Sequence, residues 1–308
     1  MTKTTKTLSI ILLSLIALFA FSFVLSGKKT EVIQASFINN SKNVSVVKMS
    51  YENSFLTLTN YGDFWGAELN SNSTTLFFPC DTQVVENFLK ASALKNNLYK
   101  VSDNLKQWEV LGLTENESFS VQYFDENSNV LSSIFFGKIN PSSDRISFRT
   151  NKSISSYQVD SDILNYLKIE SKFWADPYLV PRSVSGVLSS NLIQSISYSV
   201  EEKPFTQVSK SNFAQIANKI GEYRHSNIAL EIIESKPCRF AIQIEDGIGN
   251  IYVLRFYENT DSSFIVKNTI TPSSTRDSDV KSFCKKINYV SVISSWTFNQ
   301  ITSLVLDN

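Results

Sequence analysis

The chain has 308 residues, enough for two ordinary domains, and its 29 basic and 29 acidic side chains cancel to a formal net charge of zero. That balance argues against a protein built around a basic face for nucleic acid, where cationic side chains supply most of the affinity. With 22 Phe, 12 Tyr and 4 Trp there is ample material for a packed core, which excludes the disordered class.

The first element is an apolar run, Leu8–Leu25, with no charge and three serines. As a helix rising about 1.5 Å per residue it spans roughly 27 Å, close to the hydrocarbon thickness of a bilayer. Two readings fit. One is an uncleaved signal-anchor; the other is the apolar region of a signal peptide cut after Val24-Leu25-Ser26. The run exceeds the roughly 7–15 residues usual for a signal peptide, which favours the anchor. Lys3 and Lys6 before it balance Lys28 and Lys29 after it, so flanking charge does not orient it. Export places the short N-terminus in the cytoplasm and the bulk of the chain on the extracytoplasmic side of the cytoplasmic membrane. The run holds no glycine, so no helix-pairing Gly-x-x-x-Gly motif occurs in it.

Residues 1–27 thus form an anchor or signal segment, and Lys28–Asn43 reads as a polar, irregular tether. A first module, 44–181, opens with short strands at Val44–Met49, Phe55–Thr59 and Phe64–Leu69. A helix follows, capped by Asp81, with Val84, Val85, Phe88 and Leu89 on one face. A short helix covers Asn104–Val110. A hairpin then runs from Phe119-x-Val121-x-Tyr123 through the turn Asp125–Asn129 to Val130–Phe136. Strands at Ile146–Arg149 and Ser155–Val159 lead to a helix from Asp160 bearing Ile163, Leu164 and Leu167. The two prolines of Ala175–Pro181 break regular structure and mark a module boundary.

The second module, 182–308, repeats the theme. A strand at Ile193–Val200 precedes a helix with Phe213, Ile216, Ala217 and Ile220 at i, i+3, i+4 and i+7, opened near Ser211 and closed by Gly221. After Ile228–Ile233 comes a second hairpin, Phe240–Ile244 and Ile251–Tyr257. A helix over Asp277–Lys286 and an amphipathic piece, Phe298–Leu306, end the chain. The hairpins align without gaps from Phe119–Phe136 onto Phe240–Tyr257: Gln122 meets Gln243, Asp125 meets Asp246, and Asn129 meets Asn250. ISSYQV (Ile154–Val159) resembles ISSWTF (Ile293–Phe298). Self-similarity in a constant order marks an internal repeat. The expected fold is α+β: two similar sheet-plus-helix modules of mainly antiparallel strands behind an N-terminal transmembrane helix.

Familiar catalytic and binding motifs are sparse. The single histidine, His225, sits in GEYRHSNI just after a helix and reads as a solvated surface residue. Any Ser-His-Asp or Cys-His site would have to use it. No nucleophile elbow, phosphate loop or Cys-x-x-Cys pair occurs, and Gly247-x-Gly249 reads as a hairpin turn needing positive φ. Cys80, Cys238 and Cys284 allow one disulfide, such as Cys80–Cys238, or three free thiols; Cys284 falls on an apolar helical face with Val280 and Phe283. The tripeptides Asp160-Ser161-Asp162 and Asp277-Ser278-Asp279 precede apolar helical patterns, where helix capping outweighs calcium binding. Asp125-Glu126 and Glu201-Glu202 read as solvated turn residues. No catalytic, cofactor-binding or metal-ligating residue is nominated.

Several pieces resemble the domain-of-unknown-function 4340 family of bacterial envelope proteins: YGDFWGAEL (Tyr61–Leu69), WEVLGLTEN (Trp108–Asn116) with its Leu111-Gly112-Leu113, IFFGK (Ile134–Lys138) ending a strand at Gly137, and SSYQVDSDILNYL (Ser155–Leu167). The resemblance covers Val44–Pro181 best, and the second half diverges. It implies a single-pass envelope protein associated with an ABC-type transporter or gliding-type auxiliary complex, without catalytic residues. The function expected is a non-enzymatic membrane-anchored accessory or scaffold with a protein partner. The alternatives are a secreted soluble ligand-binding protein and a cryptic hydrolase.

Overall fold

The computed structural model describes residues 14–16, 31–182, 193–230, 236–260 and 262–307. Nearly all of the run Leu8–Leu25 lies outside them; among the described residues no helix is long and apolar enough to cross a membrane. The described chain is β-rich, with two antiparallel sheets and few helices.

The first sheet takes ten strands: β1 (Val32–Ala35), β2 (Val46–Tyr51), β3 (Ser54–Asn60), β4 (Trp65–Ser71), β5 (Thr74–Pro79), β6 (Asn96–Ser102), β7 (Phe119–Phe124), β8 (Val130–Asn140), β9 (Arg145–Thr150) and β10 (Ser156–Val159). Their order is β1-β6-β10-β9-β8-β7-β2-β3-β4-β5. Helix α1 (Thr82–Ala93) is capped as expected, the Asp81 carboxylate accepting from the Gln83 N–H at 3.0 Å. Its buried Val85, Phe88 and Leu89 close the first core, where the Phe88 ring stacks on Tyr123 at 5.9 Å. Alternation in β2, β3 and β7 puts Val47, Met49, Leu56, Leu58, Val121 and Tyr123 into that core.

The second sheet takes β11 (Ile193–Val200), β12 (Thr206–Gln207), β13 (Asn227–Leu230), β14 (Cys238–Asp246), β15 (Ile251–Thr260), β16 (Ser263–Thr271) and β17 (Tyr289–Ser294), in the order β12-β11-β14-β15-β16-β17-β13. Helix α4 (Phe213–Ile220) buries its four predicted apolar residues against it. Gly221 closes α4 in an ordinary right-handed conformation, and neither Ser211 nor the cap residue Asn212 bonds the helix end.

Replacing β3-β2-β7-β8-β9-β10-β6 by β12-β11-β14-β15-β16-β17-β13 maps one sheet order onto the other, every neighbouring pair being antiparallel. The two hairpin turns match bond for bond. Asp125 Oδ1 accepts from the N–H of Asn127 and Asn129, and Asn129 Nδ2 donates to Asp125 Oδ2 at 2.9 Å. Asp246 receives the same three bonds from Ile248 and Asn250, the last at 2.8 Å. The fourth turn residue has positive φ in both, Ser128 at 62° and Gly249 at 88°.

Beyond the turns the gapless alignment slips by one. Phe119 faces Phe136, but Phe240 faces Phe256, because a bulge between Tyr123 and Phe124 adds a residue to the first hairpin's return strand. The structural counterpart of Ile134 is therefore Leu254, and a one-residue slip would invert the buried face. The ISSWTF match also fails structurally: Ser295–Phe298 begin the helix α6 (Ser295–Leu306), not a strand.

Three further expectations are corrected. The Lys28–Asn43 stretch is not a tether over its described part: β1 pairs with β6, and Phe37 is buried between Phe136 and Phe148 at 5.5 and 5.4 Å. Asp162–Tyr166 is a 3-10 turn capped by Ser161, since the apolar stretch is too short to repay an α-helical nucleus. Ala175–Pro181 is not an exposed linker. Leu179 and Val180 are buried in the second core, while Ala175 belongs to the first.

The WEVLGLTEN segment forms helix α2 (Gln107–Leu111) and a plug. Gly112 ends α2 at φ 67°, and Leu113 is fully buried. The Leu113 carbonyl accepts from Arg149 Nε at 2.8 Å, and that guanidinium lies 4.1 Å from the Trp108 ring and 3.8 Å from Phe135. Gly137 lets the segment dock: a Cβ there would meet the Leu111 carbonyl oxygen at 2.2 Å.

Candidate functional site at the junction of the two sheets

Titratable and polar side chains converge where the sheets meet. The connecting strap begins at the end of helix α3 (Ser171–Trp174). Its first half is tied to the first sheet: Asp81 N–H donates to the Trp174 carbonyl at 2.8 Å, and Asp176 N–H to the Pro79 carbonyl at 2.9 Å. Its second half is tied to the second module. His225 N–H donates to the Pro177 carbonyl, Leu179 N–H to the Tyr223 carbonyl, and Asn268 Nδ2 to the Leu179 carbonyl at 2.9 Å. Pro177 has no N–H to leave unpaired, which suits a strap used through its carbonyls.

Asn288, just before β17, completes the joint. Its amide donates to the Thr75 carbonyl and accepts from the Phe77 N–H, both at 2.8 Å. β5 is an edge strand of its sheet, and this side chain occupies bonds that a further strand would make. Nearby, Tyr61, Phe64 and Phe283 form an aromatic cluster with centroids 4.9–5.7 Å apart. Gly66 leaves room for it: a Cβ there would lie 2.5 Å from the Phe283 ring. Arg276 pairs with Asp63 across the same seam.

His225, expected in solvent, is half-buried here. Its Nε2 lies 2.8 Å from the Asp176 carbonyl oxygen, so Nε2 carries the proton and donates. Nδ1 is buried without a hydrogen-bond partner. Burial lowers its pKa, opposed by the bond to Asp176, so the ring is neutral at pH 7. Cys80 and Asp176 lie in the same joint, both buried. The Asp176 carboxylate accepts from the Tyr178 N–H, and its backbone carbonyl meets the histidine. Burial, with Asp176 and Asp81 nearby, pushes the Cys80 thiol well up, away from the thiolate a nucleophile needs. Burial likewise raises Tyr289. The arrangement holds two sheets together, with His225, Cys80 and Tyr289 all shifted toward their neutral forms.

The other residues singled out from sequence are scattered. All three cysteines are free and buried, so no Cys80–Cys238 bridge forms. Asp277 occupies the cap position of α5 (Ser278–Lys286) but makes no side-chain cap bond. Among the described residues no group of three or more His, Cys, Asp or Glu is placed to hold a metal. Glu202 is more than a solvated turn residue, since it accepts from the Cys238 N–H at 3.1 Å. A cavity of about 380 Å³ opens beside the joint between β16 and α5, lined among others by Lys267, Asn268, Cys284, Lys285 and Tyr289. Asp176 and Asn288 had no local sequence signal beyond the proline-rich strap, because their partners are far away in the chain.

No family model matches the chain, no curated protein matches it, and no solved structure matches it.

Proposed function

We propose that the chain is a non-enzymatic, membrane-anchored extracytoplasmic accessory or scaffold protein, acting as an auxiliary subunit of an ABC-type transporter complex. Leu8–Leu25 makes the single pass through the cytoplasmic membrane, and the two sheets stand outside it. The observation that carries this reading is the uncharged apolar run itself, of bilayer length. The strapped junction supports it, because a body that transmits or holds position needs domains that do not swing freely. The resemblance to the 4340 family points the same way for the first half. The matching sheet orders and matching Asp–Asn turns support a duplicated module, 44–181 and 182–308, as the origin of the two bodies.

Carbonate extraction and vesicle flotation of the full chain test the anchor. Retention in the membrane with an intact N-terminus supports it, and cleavage after Ser26 with release overturns it. Detergent co-purification tests the partner: repeated absence of a transporter subunit counts against the accessory role.

The cavity beside β16 favours a second reading, a secreted ligand-binding protein. Under it, the mature chain begins after Ser26, and a small ligand raises its Tm.

A further inference from the structure

The described part of the first sheet begins at Glu31, whose carbonyl accepts from Lys100 N–H. β1 pairs with β6, and β6 with β10, all antiparallel, so the start of β1, the end of β6 and the start of β10 share one end of the sheet. That end carries a concentration of exposed large apolar side chains. Val32 opens β1 and Val101 lies near the end of β6. Leu105 follows in the next turn, Val110 sits on α2, and Ile154 precedes β10. Trp108 Nε1 donates to the Ile154 carbonyl at 3.2 Å, holding α2 beside β10. Val110 and Leu105 are 65% and 54% exposed, high for side chains of this kind clustered in one place. Lys106 and Lys152 flank them, both exposed.

Only Ser26–Thr30 separate this end from Leu25. Five residues reach at most about 18 Å when fully extended. Lys28 and Lys29 in that link add positive charge next to the flanking lysines, and basic residues near an anionic leaflet are attracted to it. The second module joins the first sheet at β5, the opposite end of its strand order.

We propose that this end of the first sheet, around Val32, Val101, Leu105, Val110 and Ile154, rests on the surface of the bilayer, its apolar side chains entering the headgroup region. The inference depends on the anchored reading above. A short link brings the patch to the lipid, and burial of its apolar surface then holds the body in one orientation. The second module is thereby turned outward.

The test uses the full-length chain in vesicles of phosphatidylethanolamine and phosphatidylglycerol. Single variants Leu105→Cys and Val110→Cys receive an environment-sensitive fluorophore, the native cysteines being buried. Ile248→Cys and Trp296→Cys, exposed on the second module, serve as references. Brominated lipids are expected to quench the labels at 105 and 110 several-fold more than those at 248 and 296. Equal quenching at all four positions in protein that still floats with the vesicles overturns the proposed orientation alone. Protein that fails to float overturns the anchored reading and this inference with it.

Discussion

The Asn288 side chain accepts a hydrogen bond from the Phe77 N–H at 2.8 Å, although 211 positions separate them in the chain. One amide of the second module thus stands in for a neighbouring strand on the β5 edge of the first, bonding Thr75 as well. Replacing Asn288 by Ala removes both bonds and leaves a half-buried donor and acceptor unpaired. The expected loss is about 2 kcal/mol of unfolding free energy. Urea denaturation of the wild type and Asn288→Ala checks it; unchanged midpoints would show that the bonds add nothing.

The two Asp–Asn turns have the same bonds in different surroundings. Asp246 and Asn250 are buried, and Asn250 Oδ1 also accepts from the Ser273 N–H at 2.8 Å, whereas Asp125 is half-buried and the rest of its turn is exposed. Asp246→Ala therefore costs more than Asp125→Ala, on the order of 3 kcal/mol, because buried N–H groups lose their acceptor. Chemical denaturation of both variants gives the ranking.

Asp125 also predicts an acid response. The bonds from Asn129, then Asn127, lower its pKa in the folded state. The folded state therefore holds the charged form better than the unfolded chain does. This contribution is present above the ordinary carboxylate range and fades as pH falls through the lowered folded value. Asp125→Asn should make stability less dependent on pH below about 4, measured by thermal melts across that range.

Gly137→Ala tests the docking of the WEVLGLTEN plug. A Cβ would meet backbone oxygens of Leu111 and Gly112, which cannot swing aside as a side-chain tip can. Displacing the segment would also part Leu113 from Arg149. The expected cost is about 1–3 kcal/mol, with a blue-to-red shift in emission as Trp108 gains solvent. A stable variant with unchanged fluorescence would contradict this packing.

His225 gives the opposite proton linkage to a salt-bridged histidine. Burial lowers its folded pKa below the unfolded value of about 6.5, so the unfolded chain binds the extra proton first. Stability is unaffected above that range and falls as pH drops through it. His225→Gln should flatten the wild-type decline between roughly pH 6.5 and 5. NMR titration of the imidazole reports the lowered value directly.

Much of the local structure was readable because it depends on neighbours in the chain. Asp81 before Val84–Leu89 announced α1, and the spacing of Phe213, Ile216, Ala217 and Ile220 announced α4. Alternation located both hairpins, and the Asp–Asn pairs located their turns. Shorter or mixed strands were missed. β5, β6 and β16 carry Asn, Thr and Lys among their apolar residues, and pairing rather than pattern makes each a strand: β6 and β16 are paired on both sides, and β5 lies between β4 and the Asn288 side chain. The bulge near Phe124 was invisible for the same reason: an added residue shows only against a partner strand.

By itself the sequence determined the apolar run Leu8–Leu25, the helix faces, the hairpins and the scarcity of histidine and glycine. These follow from composition and from spacings of two to four residues. Only the tertiary structure decided that Phe37 belongs to the first core, that the strap at Ala175–Pro181 is buried, and that His225 is neutral against Asp176. Burial and hydrogen-bond partners are set by residues tens to hundreds of positions away. The long-range closure that brings Asn288 to Phe77 leaves no periodic trace in either segment.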